Sequence, residues 1–191
     1  MSNELTILVD SREKKPLPFP EHLPLLRSDL PALSRSSRTY RLRTESLTMA
    51  TGDYALKGYE KHCLIERKGS LQEVAGNCLT PDGRRRFTAA MDRLKEECAY
   101  PYLLLEGNLL TSLVPCAALP DPWNAIDSLH RILFERHIGL ILLPNTSITS
   151  RRAVAEWAAR LLINASFCPL PTKESPCLII SPSSPNNILP S

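Results

Sequence analysis

Apolar residues in the first third of the chain follow the short period of β-strands. Residues 5–9, LTILV, form a mostly apolar run that ends at Asp10, which predicts a buried strand. Residues 38–50 alternate between apolar and polar side chains, which predicts strand structure bent into a hairpin near residues 44–45. The proline-rich stretch between these segments predicts a loop, and residues 62–67 predict another short strand.

From residue 71 onward, the apolar spacing changes to the three- and four-residue intervals of helices, and short apolar runs between them predict strands. The predicted helices span 71–77, 84–98, 122–137 and 150–164, with a turn at 80–83, and the predicted strands span 101–105 and 139–143. Strands that come first and then alternate with helices indicate an α/β protein, with helices on the faces of a central sheet.

Length and composition indicate one domain followed by a tail. The chain has 191 residues, of which 43% are hydrophobic, so a full core is expected. We expect the domain to cover residues 1–164, because residues 165–191 are rich in proline and serine and predict an irregular tail. With neither a secretory signal nor a long apolar run, we expect an intracellular protein, cytoplasmic in a bacterium or virus and nuclear in a eukaryote.

Cysteine spacing and charge restrict the chemistry further. The six cysteines form no CxxC pair, which argues against a zinc site and favours reduced, half-buried thiols. The net charge of +3 is compatible with nucleic-acid binding. Arginines are concentrated at residues 35–43 and 84–86, although such runs, taken alone, are typical of a solvated surface.

Charged residues with catalytic potential lie near the ends of the predicted strands. Residues two apart on a strand project from the same face, so Glu66 and Lys68 reach one spot while Arg67 points away. Asp53 ends what we expect to be a neighbouring strand or hairpin arm. Two converging carboxylates repel each other, and a Mg²⁺ or Mn²⁺ ion between them would relieve the repulsion. Such an ion polarises a phosphodiester and activates water, and a lysine beside it holds or deprotonates that water or stabilises the developing charge.

Each cluster has an ordinary structural interpretation when it is taken alone. An exposed pair such as Glu66–Lys68 contributes little to stability, and Gly52–Asp53 is a common turn sequence. A given tripeptide such as ERK occurs by chance in roughly one or two chains of this length in a hundred. Three clusters in this order, each near a predicted strand end, favour an active site over coincidence.

Three motifs, VDSRE at 9–13, GDYAL at 52–56 and LIERKGSL at 64–71, closely resemble those of the XPF family of structure-specific DNA endonucleases, with its Mus-type and Hef-type members. The resemblance covers roughly residues 6–162. It implies a central mixed β-sheet flanked by helices, the restriction-endonuclease-like PD-(D/E)XK architecture. It also implies a metal-dependent DNA endonuclease that uses Mg²⁺ or Mn²⁺ to hydrolyse phosphodiester bonds in branched or flapped duplexes, during repair or recombination.

The resemblance also implies a role for each charged residue at a matching position. The implied catalytic residues are Asp53, Glu66, Lys68, Asp10 and Glu13, and the implied metal ligands among them are Asp53, Glu66 and Asp10. Arg12 and Arg67 are expected to contact phosphate or to brace the carboxylates.

Further DNA-binding residues are expected around this acidic centre. The arginine run begins a predicted helix next to the site, and two more arginines share one strand face, so both groups could hold phosphates. These residues are Arg84, Arg85 and Arg86 in the run and Arg41 and Arg43 on the strand. Gln72 stands where the family has an aspartate and is expected to bind DNA or a water, while Glu73 is expected to point about 100° away from it.

Partners and alternatives stay open at the level of sequence. Because residues 165–191 are rich in proline and serine, we expect no counterpart of the family's tandem helix-hairpin-helix module, and we expect DNA targeting to come from the domain itself, a second copy or a protein partner. Four residues could face a second copy or the core, and the core is the default expectation: Trp123, Ile126, Trp157 and Leu161. One alternative function is a catalytically silent DNA-binding or scaffold copy of the domain, and another is a nuclease for RNA or simple duplexes.

Overall fold

A computed structural model describes residues 4–26, 37–144 and 147–170 of the chain. These residues contain a seven-stranded mixed sheet in the order β2-β3-β1-β4-β5-β6-β7, flanked by helices. The strands are β1 Glu4–Asp10, β2 His22–Leu26, β3 Ser37–Leu47, β4 Tyr54–Leu56, β5 Cys63–Lys68, β6 Tyr100–Glu106 and β7 Gly139–Leu143. The helices are α1 Leu71–Leu79, α2 Pro81–Glu97, α3 Leu109–Ser112, α4 Pro122–Phe134 and α5 Ile148–Ser166. The predicted α/β class with a central mixed sheet is confirmed.

Strand direction decides which residues meet at the site. The short strand β4 pairs antiparallel with both β1 and β5, and its first residue, Tyr54, pairs with Val9 near the end of β1 and with Ile65, just before Glu66, in β5. Backbone hydrogen bonds extend this pairing: the Asp10 amide donates to the Asp53 carbonyl at 2.9 Å, and the Asp53 amide donates to the Ile65 carbonyl at 2.8 Å. The sequence had suggested that Asp53 ends a strand. Asp53 instead lies just before the start of β4.

Two other strand predictions are corrected. The hairpin expected near residues 44–45 is wrong, because β3 is one continuous strand that pairs in parallel with β1. The proline-rich loop contains the unpredicted strand β2, which among the described strands pairs with β3 alone. At such a sheet edge, a proline such as Pro24 removes no ladder hydrogen bond that a second neighbour would need.

Helix boundaries also differ from the prediction, for reasons of capping. Residues 80–83 are not a turn: the Thr80 hydroxyl accepts a hydrogen bond from the Gly83 amide at 3.2 Å, and Pro81 occupies the first turn of α2. Helix α1 continues past Gly76 to Leu79, α5 extends to Ser166, and the short helix α3 was not predicted. Of the expected tail at 165–191, residues 171–191 lie outside the described residues.

Hydrophobic side chains pack on both faces of the sheet. On one face, α1, α2 and α4 cover the sheet, with Phe87 and Leu129 in that core. On the other face, α5 and the segment after β1 pack against the sheet, with Leu17 and Leu162 in that core. Within the described residues, no helix has both the length and the apolar character needed to cross a bilayer. The core position expected for Trp123 and Trp157 is wrong, since their exposed fractions are 59% and 38%. Ile126 and Leu161, for which the core was also expected, do pack against it.

Candidate active site

Asp53, Glu66 and Lys68 converge on an open cleft at one edge of the sheet. The cleft has a volume of about 900 Å³, and its floor is formed by the ends of β1 and β5 and the residues before β4. Asp10, Arg12, Glu13 and Arg67, which the sequence also singled out, line the same cleft. The strand topology therefore brings the three charged motifs together.

Lys68 is held by two carboxylates and one aromatic ring. Its ammonium Nζ donates to Glu66 Oε1 at 2.9 Å, as expected for residues on one strand face, and lies 3.5 Å from Glu73 Oε1. Nζ also lies 5.8 Å from the centre of the Phe87 ring, within cation–π range. Burial alone would lower the pKa of Lys68, but Glu66, Glu73 and Asp53 outweigh it and hold this pKa above its ordinary value. Lys68 is thus a fixed cation at the centre of the cleft.

Asp53 is a half-buried carboxylate whose negative charge is only partly stabilised by its neighbours. Its Oδ2 accepts a hydrogen bond from the Arg67 backbone amide at 2.6 Å. Burial and repulsion from Glu66 nevertheless raise the pKa of Asp53 to about 7, against the opposing effects of that hydrogen bond and of Lys68. Without a cation, repulsion between Asp53 and Glu66 therefore destabilises the folded protein.

Asp10 is engaged by Arg12 and does not offer free oxygens to the cleft. The Asp10 carboxylate accepts hydrogen bonds from the Arg12 backbone amide at 2.8 Å and from the Arg12 guanidinium, whose Nη2 also donates to the Met49 carbonyl at 2.7 Å. Burial would raise the pKa of Asp10, but Arg12 outweighs it and lowers this pKa below its ordinary value. The assignment of Asp10 to a metal stays a prediction, and it would require Arg12 to release the carboxylate.

Arg67 braces acidic residues beneath the cleft. Its guanidinium forms an ion pair with Glu106, at the end of β6, and lies 3.3 Å from Glu13 Oε2. Glu106 is fully buried, and its part in this network was not predicted because it is 39 residues away from Arg67 in the chain. Bracing of carboxylates, one of the two roles expected for Arg67, is what these contacts provide.

The sequence predicted that Gln72 faces the site and that Glu73 points away from it, and the structure shows the reverse. Gln72 lines a separate groove with Thr111 and Leu119, whereas Glu73 lines the cleft. The Ser70 hydroxyl caps α1 by accepting from the Glu73 amide at 3.2 Å, and Glu73 Oε2 accepts from the Gly69 amide at 2.9 Å. The signal was present in the sequence, because Ser-x-x-Glu before an apolar run is the capping-box pattern that turns the glutamate side chain back toward the helix start.

The fold is shared with XPF. Two solved structures of XPF from Aeropyrum pernix superimpose on this chain, one alone and one in complex with DNA. The first has a TM-score of 0.56 and 18% sequence identity over 91% of this chain and 68% of the XPF chain. The second has a TM-score of 0.54 and 18% identity over 87% of this chain and 68% of its own. No protein-family model matches the sequence, and a search of curated proteins finds no match.

In this XPF-like fold, the arginines predicted to bind DNA lie outside the cleft. Three of them have acidic neighbours: Arg41 lies 3.6 Å from Glu21, Arg43 lies 3.1 Å from Glu4, and Arg85 lies 3.1 Å from Asp82. Arg84 and Arg86 are exposed on α2. None of the five lines the cleft as described. The cations that do line it, besides Arg12, Arg67 and Lys68, were not predicted and are Lys14, Lys15, Arg93 and Arg151.

The side chains available for a divalent cation are few but of the right kind. Within the described residues, no three His, Cys, Asp or Glu side chains gather into a group that could hold a metal ion. Mg²⁺, however, is usually bound by one or two carboxylates together with waters and substrate phosphates, and not by a complete cage of protein ligands. The Asp53–Glu66 pair, whose repulsion raises the pKa of Asp53, fits that requirement.

Proposed function

We propose that this protein is a metal-dependent endonuclease that hydrolyses phosphodiester bonds in DNA. The observation that carries the proposal is the convergence of Asp53, Glu66 and Lys68 in one open cleft, with Lys68 Nζ 2.9 Å from Glu66 Oε1. Paired carboxylates beside a fixed ammonium suit a reaction in which negative charge builds up on a phosphate.

Each residue has a part in this reaction. Asp53 and Glu66 would hold Mg²⁺ or Mn²⁺, which when bound neutralises phosphate charge and activates the attacking water. Lys68 stabilises the charge that develops on the phosphate oxygens, because its neighbours keep it protonated. Glu73 and Phe87 position Lys68 from the helical side of the cleft.

Branched or flapped duplex DNA is the substrate that we propose, in a repair or recombination process. Two observations support this choice: the motifs around Asp10, Asp53 and Glu66 resemble those of the XPF family, and the chain shares its fold with an XPF that has been solved in complex with DNA. We also propose that a protein partner or a second copy contributes to DNA targeting.

One set of observations favours a different candidate, a catalytically silent DNA-binding copy of the domain. The oxygens of Asp10 are taken up by Arg12, and Gln72 faces another groove. Glu13 accepts from the Lys15 amide and Arg67, and Glu73 accepts from the Gly69 amide. The cleft then offers two carboxylates for a cation, those of Asp53 and Glu66. The two candidates differ in a single measurable property, which is cleavage.

Cleavage assays on flap, fork and linear duplex DNA and on an RNA duplex, with Mg²⁺, Mn²⁺ or EDTA, test the proposal. We expect metal-dependent cleavage that is fastest on branched DNA. Glu66→Gln and Lys68→Met should each reduce the rate by about 100-fold or more, since each removes charge from the reacting centre. The exposed pair Lys57–Glu45, whose Nζ–Oε2 distance is 2.6 Å, provides matched controls, and Glu45→Gln and Lys57→Met should cleave as the wild type does.

Three outcomes would count against the proposal. Binding of branched DNA without cleavage in either metal would favour the silent copy. Faster cleavage of the RNA duplex than of any DNA would replace the substrate class. Full cleavage activity in Glu66→Gln would show that Asp53, Glu66 and Lys68 do not form the catalytic centre.

A further inference from the structure

The cleft is bordered by basic side chains from both layers that cover the sheet. On one side, α2 contributes Ala90 and Arg93, and its Phe87 belongs to the core on that face. On the other side lies the segment after β1, with Lys14 and Lys15, whose neighbour Leu17 belongs to the opposite core. The acidic floor with Asp53 and Glu66 thus runs between two cationic borders.

The border on α2 belongs to a longer stripe along one face of the helix, which we call the helix wall and define as Arg86, Ala90 and Arg93. Ala90 and Arg93 line the cleft, and Arg86 continues the stripe outside it. The residues are spaced by four and then three positions, so they project from the same side of the helix. Seven residues of helix separate the two guanidinium-bearing positions by about 10 Å along the axis. Ala90 between them is small, which leaves room for a chain to lie along the stripe.

The border on the other side, which we call the loop wall, consists of Lys14 and Lys15. Its backbone is fixed at several points: the Lys15 amide donates to Glu13 Oε1 at 2.7 Å, and the Leu17 amide donates to the Tyr54 hydroxyl at 3.1 Å. Arg151 of α5 donates to the carbonyls of Lys15 and Pro16. The two lysine side chains are exposed, but the backbone that carries them is held in place beforehand.

The cations of both walls differ from most of the predicted DNA-binding arginines in their partners. Arg41, Arg43 and Arg85 each have a carboxylate within 3.6 Å. Within the described part of the chain, Lys14, Lys15, Arg86 and Arg93 form no ion pair. An exposed cation without an acidic partner is available to a phosphate at no cost in broken ion pairs.

We propose that the cleft grips the sugar-phosphate backbone of DNA between the helix wall and the loop wall, and that the adjacent Arg84 and Arg85 take no part in this grip. This inference rests on the proposed function, because it assigns the groups that hold the substrate over Asp53 and Glu66. It also divides the arginine run, since Arg86 shares a helix face with Arg93 and its two neighbours do not.

The test measures DNA binding by the full 191-residue chain in EDTA, so that binding is followed without cleavage. Fluorescence anisotropy of a labelled flap DNA is recorded over a range of salt concentrations for the wild type and three double variants. Two variants remove one wall each, Arg86→Ala/Arg93→Ala and Lys14→Ala/Lys15→Ala. The third, Arg84→Ala/Arg85→Ala, removes the same charge from the same helix at the rival positions.

We expect each wall variant to lower the slope of log affinity against log salt by about 1.4–1.8, since each phosphate contact contributes about 0.7–0.9. Affinity should fall roughly tenfold or more at about 0.1 M salt. The rival variant should keep the wild-type slope. All three variants should have the melting temperature of the wild type, because the substituted side chains are exposed.

The outcomes separate this inference from the proposed function. A wild type that binds with a steep salt dependence, with wall variants that bind equally well, would overturn the two walls and leave the nuclease proposal standing. A rival variant that loses as much slope as the wall variants would overturn the division of the arginine run. A wild type that neither binds nor cleaves flap DNA would remove both proposals.

Discussion

Asp53 carries two opposing interactions at one carboxylate. The Arg67 amide stabilises its charge, while burial and Glu66 destabilise it and raise its pKa to about 7 from an ordinary value of 3.8. Between these two values, the folded protein keeps a proton that the unfolded chain has released. By linkage, stability is therefore lost as the pH rises through this window, and the loss is complete above the folded pKa.

Asp53→Asn should remove this pH-dependent loss. In EDTA, the melting temperature of the variant relative to the wild type should increase between about pH 5 and about pH 8, by about 2–4 °C for each kcal/mol relieved. Thermal melts at closely spaced pH values measure the difference. As a control, the exposed Glu45→Gln change should leave the pH dependence of the wild type unaltered. A constant difference across the window would mean that Asp53 is ionised with an ordinary pKa.

Glu73 and Gln72 differ in what they reach. Glu73 lies 3.5 Å from Lys68 Nζ, whereas Gln72 lines a groove outside the cleft. Glu73→Gln should therefore lower the cleavage rate by about tenfold through a less well positioned Lys68, and Gln72→Ala should change it less than about twofold. Single-turnover cleavage rates at saturating DNA measure both. A larger loss of cleavage rate in Gln72→Ala than in Glu73→Gln would show that Gln72, and not Glu73, supports the reaction.

Helices α1 and α2 pack closely enough that one glycine has no room for a side chain. A Cβ at Gly83 would lie well inside van der Waals contact with the Gly76 carbonyl and the Thr80 hydroxyl. Gly76, by contrast, is exposed in the middle of α1, and a Cβ there would meet nothing within 4 Å. This close approach fixes α2, which places Phe87 beside Lys68 and Arg93 in the lining of the cleft.

The two glycines should respond to alanine in opposite directions. Gly83→Ala should reduce the free energy of unfolding by roughly 1–3 kcal/mol, because backbone atoms must shift. Gly76→Ala should increase it by about 0.5–1 kcal/mol, because alanine favours the helix. Urea denaturation of both variants checks the pair. Equal stability of Gly83→Ala and the wild type would show that the helices adjust without cost.

The elements that sequence predicted best are those with strong local signals. β1, β5 and the long helices have apolar periods that continue over several residues, so their existence could be predicted. The three-residue strand β4 has too short a pattern, and its antiparallel pairing with β1 and β5 depends on the whole sheet. The continuous β3 strand is likewise decided by its parallel partner β1 and not by its own sequence.

At the scale of the whole molecule, the cleft is a product of the two helical layers and the sheet edge between them. The charged motifs of the candidate site could be predicted because each lies within a few residues of chain. The contacts that complete the cleft join distant segments: Arg67 to Glu106 across 39 residues, and Arg151 to the Lys15 carbonyl across 136. No local sequence pattern predicts such contacts, because they form only when the helical layers pack against the sheet.

Asp53 and Glu66 line the cleft, and the proposed function requires that they hold a cation there and not support the fold. The most direct measurement is the change in melting temperature on adding Mn²⁺ to the wild type, Asp53→Asn and Glu66→Gln, each against EDTA. A cation that binds the folded state alone stabilises it by mass action. We predict a rise for the wild type and none for the variants, which should melt in EDTA at or above the wild-type temperature. No Mn²⁺-dependent rise in the wild type, together with clear destabilisation of both variants in EDTA, would contradict the account and make these carboxylates structural.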